Sequence, residues 1–204
     1  MHNLFIRELN LPVRGLSQRV TRREFIAPGD TFTFFDETGP GCIHHWWLTY
    51  TPIRDSDVRD RAHDMQLRFF YDHSDTPAID LTLAQYFAIL LDQNIYPVDS
   101  AAIKVLPKNA VNSYLPIPFE ALRIELQNNS ATQTCIWYMA DWQAYPDHDL
   151  TPLRLHLVHR AESPADPLGS MLMADFTGEG FVAGMIKAVR VKDKADAWFH
   201  TGGD

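Results

Sequence analysis

The stretch ETGPGCIHHWWLTYTP, residues 37–52, decides how the rest of the chain is interpreted. It sets two histidines beside two tryptophans, directly after a Gly-Pro-Gly sequence. Either His44 and His45 form a metal or catalytic pair beside a tryptophan platform, or the stretch is a heavily apolar core strand. Neighbouring side chains on a regular strand point to opposite faces, so the two imidazoles are expected to diverge. The same alternation groups Trp47 with His45, and Trp46 with His44. A core strand is the prediction.

The composition is typical of a folded protein. The chain has 204 residues, enough for one large domain or two small ones with a proper hydrophobic core. Apolar residues make up 46% and charged residues 22%, which argues against wholesale disorder. The net charge of -8 argues against nucleic acid as a partner, because phosphate backbones are bound by clustered lysines and arginines.

The cysteines and the hydropathy pattern indicate a compartment. Cys42 and Cys135 both lie in strand-like runs, and buried thiols in a reducing compartment are favoured over one disulfide. The first residues contain no unbroken apolar region of the kind found in signal peptides. No apolar run approaches the roughly 20 residues needed to span a bilayer. We therefore expect a soluble cytoplasmic protein without a membrane partner.

Short runs rich in aromatic and β-branched residues alternate with turn clusters along the whole chain. This pattern predicts an all-β fold, and an antiparallel jelly-roll β-sandwich with one or two short helices is the most economical architecture. The expected division is an N-terminal arm over 1–20 and the sandwich over 21–204. Helix is possible over 81–91 and in the first ten residues, and residues 36–41 are predicted to turn. The predicted strands cover residues 31–35, 42–50, 65–71, 122–126, 133–142, 153–159 and 181–191.

The histidine and tryptophan patterns give weak signals for chemistry. No His-x-His, Cys-x-x-Cys or His-Glu-x-x-His motif occurs, so no metal and no cofactor are predicted. His156 and His159 also diverge if their segment is a strand. At least one of Trp46 and Trp47 is expected in the core, because indoles dominate sandwich interiors, while the other could lie under a sugar ring or at an interface.

Carboxylates are plentiful, but their spacing selects no pair. A glycosidase needs two of them facing each other across a cleft, roughly 5 to 10 Å apart. Most of those present lie in turns, where Asp is favoured for local hydrogen bonding. The residues concerned are Asp36, Glu37, Asp72, Asp75, Asp80, Glu125, Asp141, Asp175, Glu179 and Asp204.

Several motifs, taken in order, resemble those of one family. GPGCIHHWWLT at 39–49 is similar to its Gly-Pro-Gly-x-Ile-x-x-Ile-Trp-x-Thr strand, and NSYLPIPF at 112–119 is similar to its Asn-x-Tyr-x-Pro-Met-Pro-Phe signature. HLVHR at 156–160 and GEGFVAG at 178–184 look like two later segments. The family is glycoside hydrolase family 172, and the resemblance runs from about residue 15 to the last residue.

The resemblance implies a specific activity and assembly. Members contain two jelly rolls, associate as trimers or multiples of trimers, and use no metal. They cleave or form α-D-fructofuranosides and D-arabinofuranosides with retention, through a Glu nucleophile and a Glu acid/base. By this resemblance the chain is the N-terminal jelly-roll half of a retaining furanosidase. Its partners would be a furanose-containing carbohydrate and further copies of itself.

Two departures from the family pattern limit what can be transferred. The family's catalytic glutamates lie beyond the position matched by Asp204, so no catalytic residue is assigned and this chain alone is expected to be inactive. The stretch 16–24 lacks the Gly-Gly-Asn loop whose acid is expected at the sugar site. Candidate substrate-binding residues are those that lead toward the family's active site, with two secondary ones near the first motif: Trp198, His200 and Asp204, then Trp46 and His45.

Two other kinds of function remain open from the sequence. One is a non-catalytic jelly-roll module that binds carbohydrate or forms trimers. The other is a metal-dependent cupin-like enzyme, which would need three imidazoles converging inside the barrel.

Overall fold

The computed structural model describes residues 8–12, 14–51, 61–90, 98–106, 109–163 and 169–190. One short 3₁₀ turn, Arg61–His63, precedes β3, and a helix, α1, follows β4. The elements are β1 (Leu16–Ile26), β2 (Thr31–Tyr50), β3 (Met65–Tyr71), β4 (Ile79–Thr82), α1 (Leu83–Tyr86), β5 (Val98–Asp99), β6 (Ile103–Leu106), β7 (Ala110–Ser113), β8 (Ile117–Asn128) and β9 (Thr134–Ala144).

The long strand β2 organises the sheet. Its first part pairs with β8 from Thr31 to Ile43, and its second part pairs with β9 from Gly41 to Tyr50. Strand β7 pairs with the second part on the other side, and the order along the sheet is β4-β3-β8-β2-β7-β6-β5. Strand β1 pairs with the free side of β9. All pairings are antiparallel, and the sheet curls around one core, which confirms the predicted all-β antiparallel sandwich.

Aromatic rings fill the core around Trp46, which has no exposed surface. Its ring centroid lies 5.0 Å from that of Phe87, 5.2 Å from Tyr86 and 5.8 Å from Phe34. Such tilted and edge-on contacts add to the free energy gained by removing these rings from water. The prediction that one of the two tryptophans is a core residue is confirmed for Trp46.

Helix α1 is short but well capped. Tyr86 is its last residue and Phe87 is its C-cap, so the helix places these two rings in the core. The Thr82 hydroxyl accepts from the Gln85 backbone N–H at 3.1 Å, and the Gln85 side chain accepts from the Thr82 N–H at 2.9 Å. This reciprocal capping box satisfies two of the donors that a helix start leaves open. Of the candidate helix at 81–91, the described residues 81–90 are helical only over Leu83–Tyr86. The other candidate, the first ten residues, lies mostly outside the described residues, and of those described Glu8 and Leu9 are helical.

The predicted turn at 36–41 is wrong, because β2 runs through it without interruption. The strand absorbs the Gly-Pro-Gly sequence by register shifts at Thr33/Phe35 and Thr38/Gly41, and the Gly39–Pro40 peptide is cis. Gly41 lies against aromatic rings: a Cβ there would be 2.5 Å from the Phe119 ring and 3.1 Å from that of Trp142. Only glycine fits at position 41, where β2 packs against these two rings.

A second irregularity overturns the expected alternation of the histidines. The β2–β9 register shifts between Ile43 and His45, and both Ile43 and Trp46 are fully buried. Two residues therefore lie between consecutive core positions, and His44 and His45 share the outward side. A bulge of this kind adds one residue to a strand and re-aims its neighbours.

The two strands predicted near the C-terminal end are also wrong. Residues 153–159 and the described part of 181–191 contain no strand, and β1, in a highly charged stretch, was not predicted. Strand propensity alone does not form a ladder; a partner edge is needed, and β9 supplies one for β1. Strand β1 begins at Leu16, inside the stretch 1–20 expected to form an arm.

The cysteines are free and buried, as predicted. Burial raises the pKa of the Cys42 thiol to about 12, so the reactive thiolate is strongly disfavoured there. Among the residues described, no helix is long and apolar enough to cross a membrane.

Candidate functional site

A connected polar cluster lies on the outer face of the sheet formed by β1, β9, the second half of β2 and β7. There His45 of β2 stands in register with Asp141 of β9, which stands in register with Arg19 of β1. The Arg19 Nε donates to Asp141 Oδ1 at 2.6 Å, and His45 Nδ1 lies 3.3 Å from Asp141 Oδ2. His45 Nε2 lies 3.1 Å from Oδ1 of Asn112 on β7. These four residues form a polar row across four strands.

The electrostatics of the polar row keep Asp141 ionised. The hydrogen bond from Arg19 lowers the pKa of Asp141 below its ordinary value; partial burial opposes this, and the hydrogen bond to His45 adds to it. A carboxyl held in its charged form accepts hydrogen bonds and orients its neighbours. It cannot act as the proton donor of a glycosidase at neutral pH.

His45 is fixed on three sides. Both ring nitrogens have side-chain partners, and the ring stacks on Tyr114 with centroids 4.8 Å apart and planes 13° from parallel. An imidazole whose nitrogens are both engaged is poorly placed to shuttle protons. It can present a rigid polar edge to a ligand that lies on the sheet.

His44 is bonded separately. Its Nε2 lies 3.1 Å from the Tyr145 hydroxyl, which in turn donates to Gln143 at 2.6 Å. Burial lowers the pKa of His44, and a hydrogen bond with Gln143 opposes the shift, so the neutral ring is favoured. Within the described ranges, no three His, Cys, Asp or Glu residues lie close enough together to hold a metal ion.

Two indoles lie on the same outer face as the polar row, Trp47 two residues from His45 on β2 and Trp137 four residues from Asp141 on β9. Trp47 is flanked on its strand by the buried Trp46 and Leu48, and Trp137 is flanked by the buried Ile136 and Tyr138, so both point to the outer face and are half-buried. The Arg23 guanidinium covers the Trp137 ring at 5.3 Å. Among the described residues, no arginine or lysine lies over the Trp47 ring. Indole faces next to planar polar groups are one way to bind a sugar.

A separate open groove of about 240 Å³ lies across β2, β3 and β8. Arg123 lines it, stacked 4.0 Å over the Phe70 ring and in contact with Glu125. Two carboxylates line the same groove, Asp36 and Asp75. In this groove, therefore, two carboxyl groups border one opening.

The structure separates the candidate residues named from the sequence. His45 belongs to the polar row. Trp46 is no longer a candidate substrate-binding residue, because a ring without exposed surface cannot stack on a sugar. Trp198, His200 and Asp204 lie outside the described residues.

Sequence reasoning missed most of the polar row. In the sequence, Asp141 is one of many carboxylates and Asn112 is one residue of a longer motif. Arg19 stood in a stretch compared with a loop. Their proximity depends on which strands pair and in what register, and no local pattern in the sequence carries that information.

An antiparallel β-sandwich with an aromatic and polar outer face defines a class of domain, but the class alone does not fix the family. The comparison with family models does: residues 14–152 match the model described as the GH172 first beta-sandwich domain. The chain therefore belongs to glycoside hydrolase family 172, as its motifs suggested. No curated protein matches the chain.

Proposed function

We propose that this chain supplies the first β-sandwich of a retaining furanosidase that acts on α-D-fructofuranosides or D-arabinofuranosides. The observation that carries the proposal is the family match over residues 14–152. The reaction would proceed by two carboxylates without a cofactor, one as nucleophile and one as acid and then base. A cytoplasmic location and assembly into a homo-oligomer, a trimer or a multiple of one, are parts of the same proposal.

We further propose that this sandwich does not itself contain the catalytic pair. Many carboxylates of its described strands and turns are held in ion pairs with arginine or lysine side chains. The pairs are Arg19–Asp141, Arg61–Asp64, Arg68–Asp80, Lys104–Asp99, Arg123–Glu125 and Arg154–Asp72. These ion pairs support a structural role for the carboxylates concerned.

Several carboxyls lie outside these ion pairs, and Glu37 is one of them. Partial burial, followed by the nearby charge of Asp36, raises the pKa of Glu37. A raised pKa suits a proton donor, but a retaining mechanism needs a second carboxyl roughly 5 Å away on the other side of the bond. Glu37 alone would not supply turnover.

The test is hydrolysis of aryl α-fructofuranosides and aryl arabinofuranosides by the purified 204-residue chain. We expect no aglycone release above a buffer blank. Asp36→Asn and Asp75→Asn are the matched variants, because these two carboxylates border the open groove. Release by the native chain that either substitution abolishes would place catalysis in the groove and contradict the proposal.

A non-catalytic carbohydrate-binding role is the second candidate, and the outer face favours it. Trp47 and Trp137 are half-exposed on the same face as the hydrogen-bonding groups of the polar row. If this face binds glycan, Trp47→Ala should weaken retardation of the chain in gels containing arabinan or fructan. Trp137→Ala should have less effect, since Arg23 already covers that ring. Equal mobility of native chain and both variants in all gels would exclude this role.

A further inference from the structure

The open groove of about 240 Å³ lies apart from the polar row, on the first part of β2, on β3 and on β8. Its floor on β8 includes Ala121 and Arg123, which alternate with the core residues Leu122 and Ile124 and therefore point outward. Ala121 stands in register with Thr38 of β2. Because a single methyl group lies here among longer side chains, the outer surface of the sheet is hollow at this point.

One rim of the groove is a turn fixed against β8. The Ser74 N–H donates to the Tyr71 carbonyl at 2.9 Å, and the two residues between them, Asp72 and His73, have φ values of 55° and 63°. Such backbone conformations are uncommon outside glycine and recur at ligand-binding sites. The Asp72 carboxylate accepts from two backbone N–H groups of β8 at 3.2 Å each. The lining residues 73–75 are thereby held in place before any ligand arrives, which lowers the entropy cost of binding.

The groove combines free carboxylates with a fixed cation. Asp36 of β2 stands in register with Arg123, and Asp75 lies on the turn after β3, on the other side of β8. Neither carboxylate forms an ion pair with another described residue. The Arg123 guanidinium is stacked 4.0 Å over the Phe70 ring and contacts Glu125. Hydrogen-bond acceptors therefore stand on both sides of the groove, and a donor lies on its floor.

This arrangement selects a chemical class of ligand. Two unpaired carboxylates repel an anion, and Arg123 already covers the Phe70 face on which a flat apolar ligand could lie. A hydroxyl group, in contrast, donates to a carboxylate and accepts from a guanidinium, and Thr38 adds a hydroxyl of its own on the lining. The volume equals that of several water molecules of about 30 Å³ each, which is room for one sugar ring.

We propose that this groove binds a hydroxyl-rich ligand of the size of one sugar ring, uncharged or cationic but not anionic. Asp36 and Asp75 accept hydrogen bonds from its hydroxyl groups, and Arg123 donates to them. The inference rests on the groove and not on furanoside cleavage. Its test uses free monosaccharides, which have no glycosidic bond to break, so either proposal can fail without the other.

Nuclear magnetic resonance titration of the ¹⁵N-labelled 204-residue chain tests the site. The ligands are D-fructose, D-arabinose, the cationic D-glucosamine and the anionic D-glucuronate. At least one of the first three should shift the amide signals of residues 36–38, 73–75 and 121–123. Glucuronate should bind about tenfold more weakly than that sugar, because its carboxylate meets two others. Asp36→Ala and Asp75→Ala should each weaken binding about tenfold, the usual effect of removing a charged hydrogen-bond partner.

Asp147→Ala is the matched control, because it removes an exposed carboxylate outside the groove and should leave the affinity unchanged. Amide spectra of all three variants should otherwise overlay that of the native chain, which shows that they fold. The proposal is overturned if no sugar shifts the groove amides, or if shifts appear only on the outer face at 45–49 and 137–141. Glucuronate binding as tight as that of the other sugars overturns it as well, and so does unchanged affinity in both groove variants.

Discussion

Arg154 grips both oxygens of the Asp72 carboxylate: its Nε lies 2.9 Å from Oδ2, and its Nη2 lies 3.3 Å from Oδ1. Asp72 also accepts the backbone N–H groups of Glu120 and Ala121, each at 3.2 Å. The Arg154–Asp72 ion pair, with these hydrogen bonds, therefore attaches the segment after residue 150 to the end of β3 and to β8. The described residues of that segment contain no strand. Leu155 and Leu157 of that segment pack against the core.

We expect Arg154→Gln to lower the free energy of unfolding by about 1 to 3 kcal/mol, the usual cost of losing charge-assisted hydrogen bonds at a mostly buried donor. Urea denaturation followed by tryptophan fluorescence measures the change. Arg160→Gln, at an exposed position on the same segment, is the matched control and should change little. Equal stability of the two variants would show that the Arg154–Asp72 ion pair does not contribute to stability.

The same carboxylate makes stability depend on pH. Partial burial alone would raise the pKa of Asp72, but hydrogen bonds from Arg154, Ala121 and Glu120 outweigh it and the pKa is lowered. A group with a lowered folded-state pKa stabilises the protein above its unfolded value, 3.8 here, and this contribution disappears as pH falls through the folded value. The free energy of unfolding should therefore drop with pH below about 4.

The variant Asp72→Asn isolates this contribution. Its unfolding free energy should fall less steeply on acidification than that of the native chain, as measured by urea titrations at several pH values. Asp141, whose pKa is also lowered, leaves a residual slope that Asp72→Asn with Asp141→Asn should reduce further. Parallel curves for native chain and variants would contradict the assignment.

Gly41→Ala should destabilise the fold by about 1 to 3 kcal/mol, the range seen when a side chain is forced into a packed site. The new Cβ would meet the Phe119 ring at 2.5 Å. Gly180→Ala is the control, because nothing lies within 4 Å of a Cβ there. The melting temperatures of both variants measure the difference. A Gly41→Ala variant as stable as Gly180→Ala would show that the packing around Gly41 can adjust to a new side chain.

Trp46→Ala should cost about 3 to 5 kcal/mol, the range for truncating a fully buried large aromatic residue. Trp47→Ala removes an equally large but half-buried ring and should cost clearly less. Chemical denaturation of the two variants ranks them. The reverse order would mean that the outer indole, not the inner one, holds the sheet together.

The local sequence pattern predicted strands correctly where a strand is regular and has one solvent-exposed face. Strand β3 occupies the residues predicted for it, 65–71, and residues 122–126 lie within β8. Turn residues such as Asp72 and Asn128 mark the ends of these strands because they suit local backbone hydrogen bonding.

Local pattern failed where tertiary structure decides. The Gly-Pro-Gly sequence looks like a turn, yet Phe119 and Trp142 pack on Gly41 and the strand continues. Strict alternation across His44 and His45 is broken by a bulge, which no short-range rule locates. Residues 153–159 have strand composition but no neighbour edge, whereas charged β1 is a strand because β9 provides one. The polar row depends on the register of four strands, and is therefore invisible before the sheet is known.

Strand β2 is 20 residues long and is shared by the two pairing partners β8 and β9. Because one continuous backbone serves both halves of the sandwich, we expect the two halves to unfold together. Amide protons of β8 and β9 should then exchange with solvent at similar free energies of opening, as hydrogen exchange would measure. A single shared strand would in this way couple the stability of the two halves.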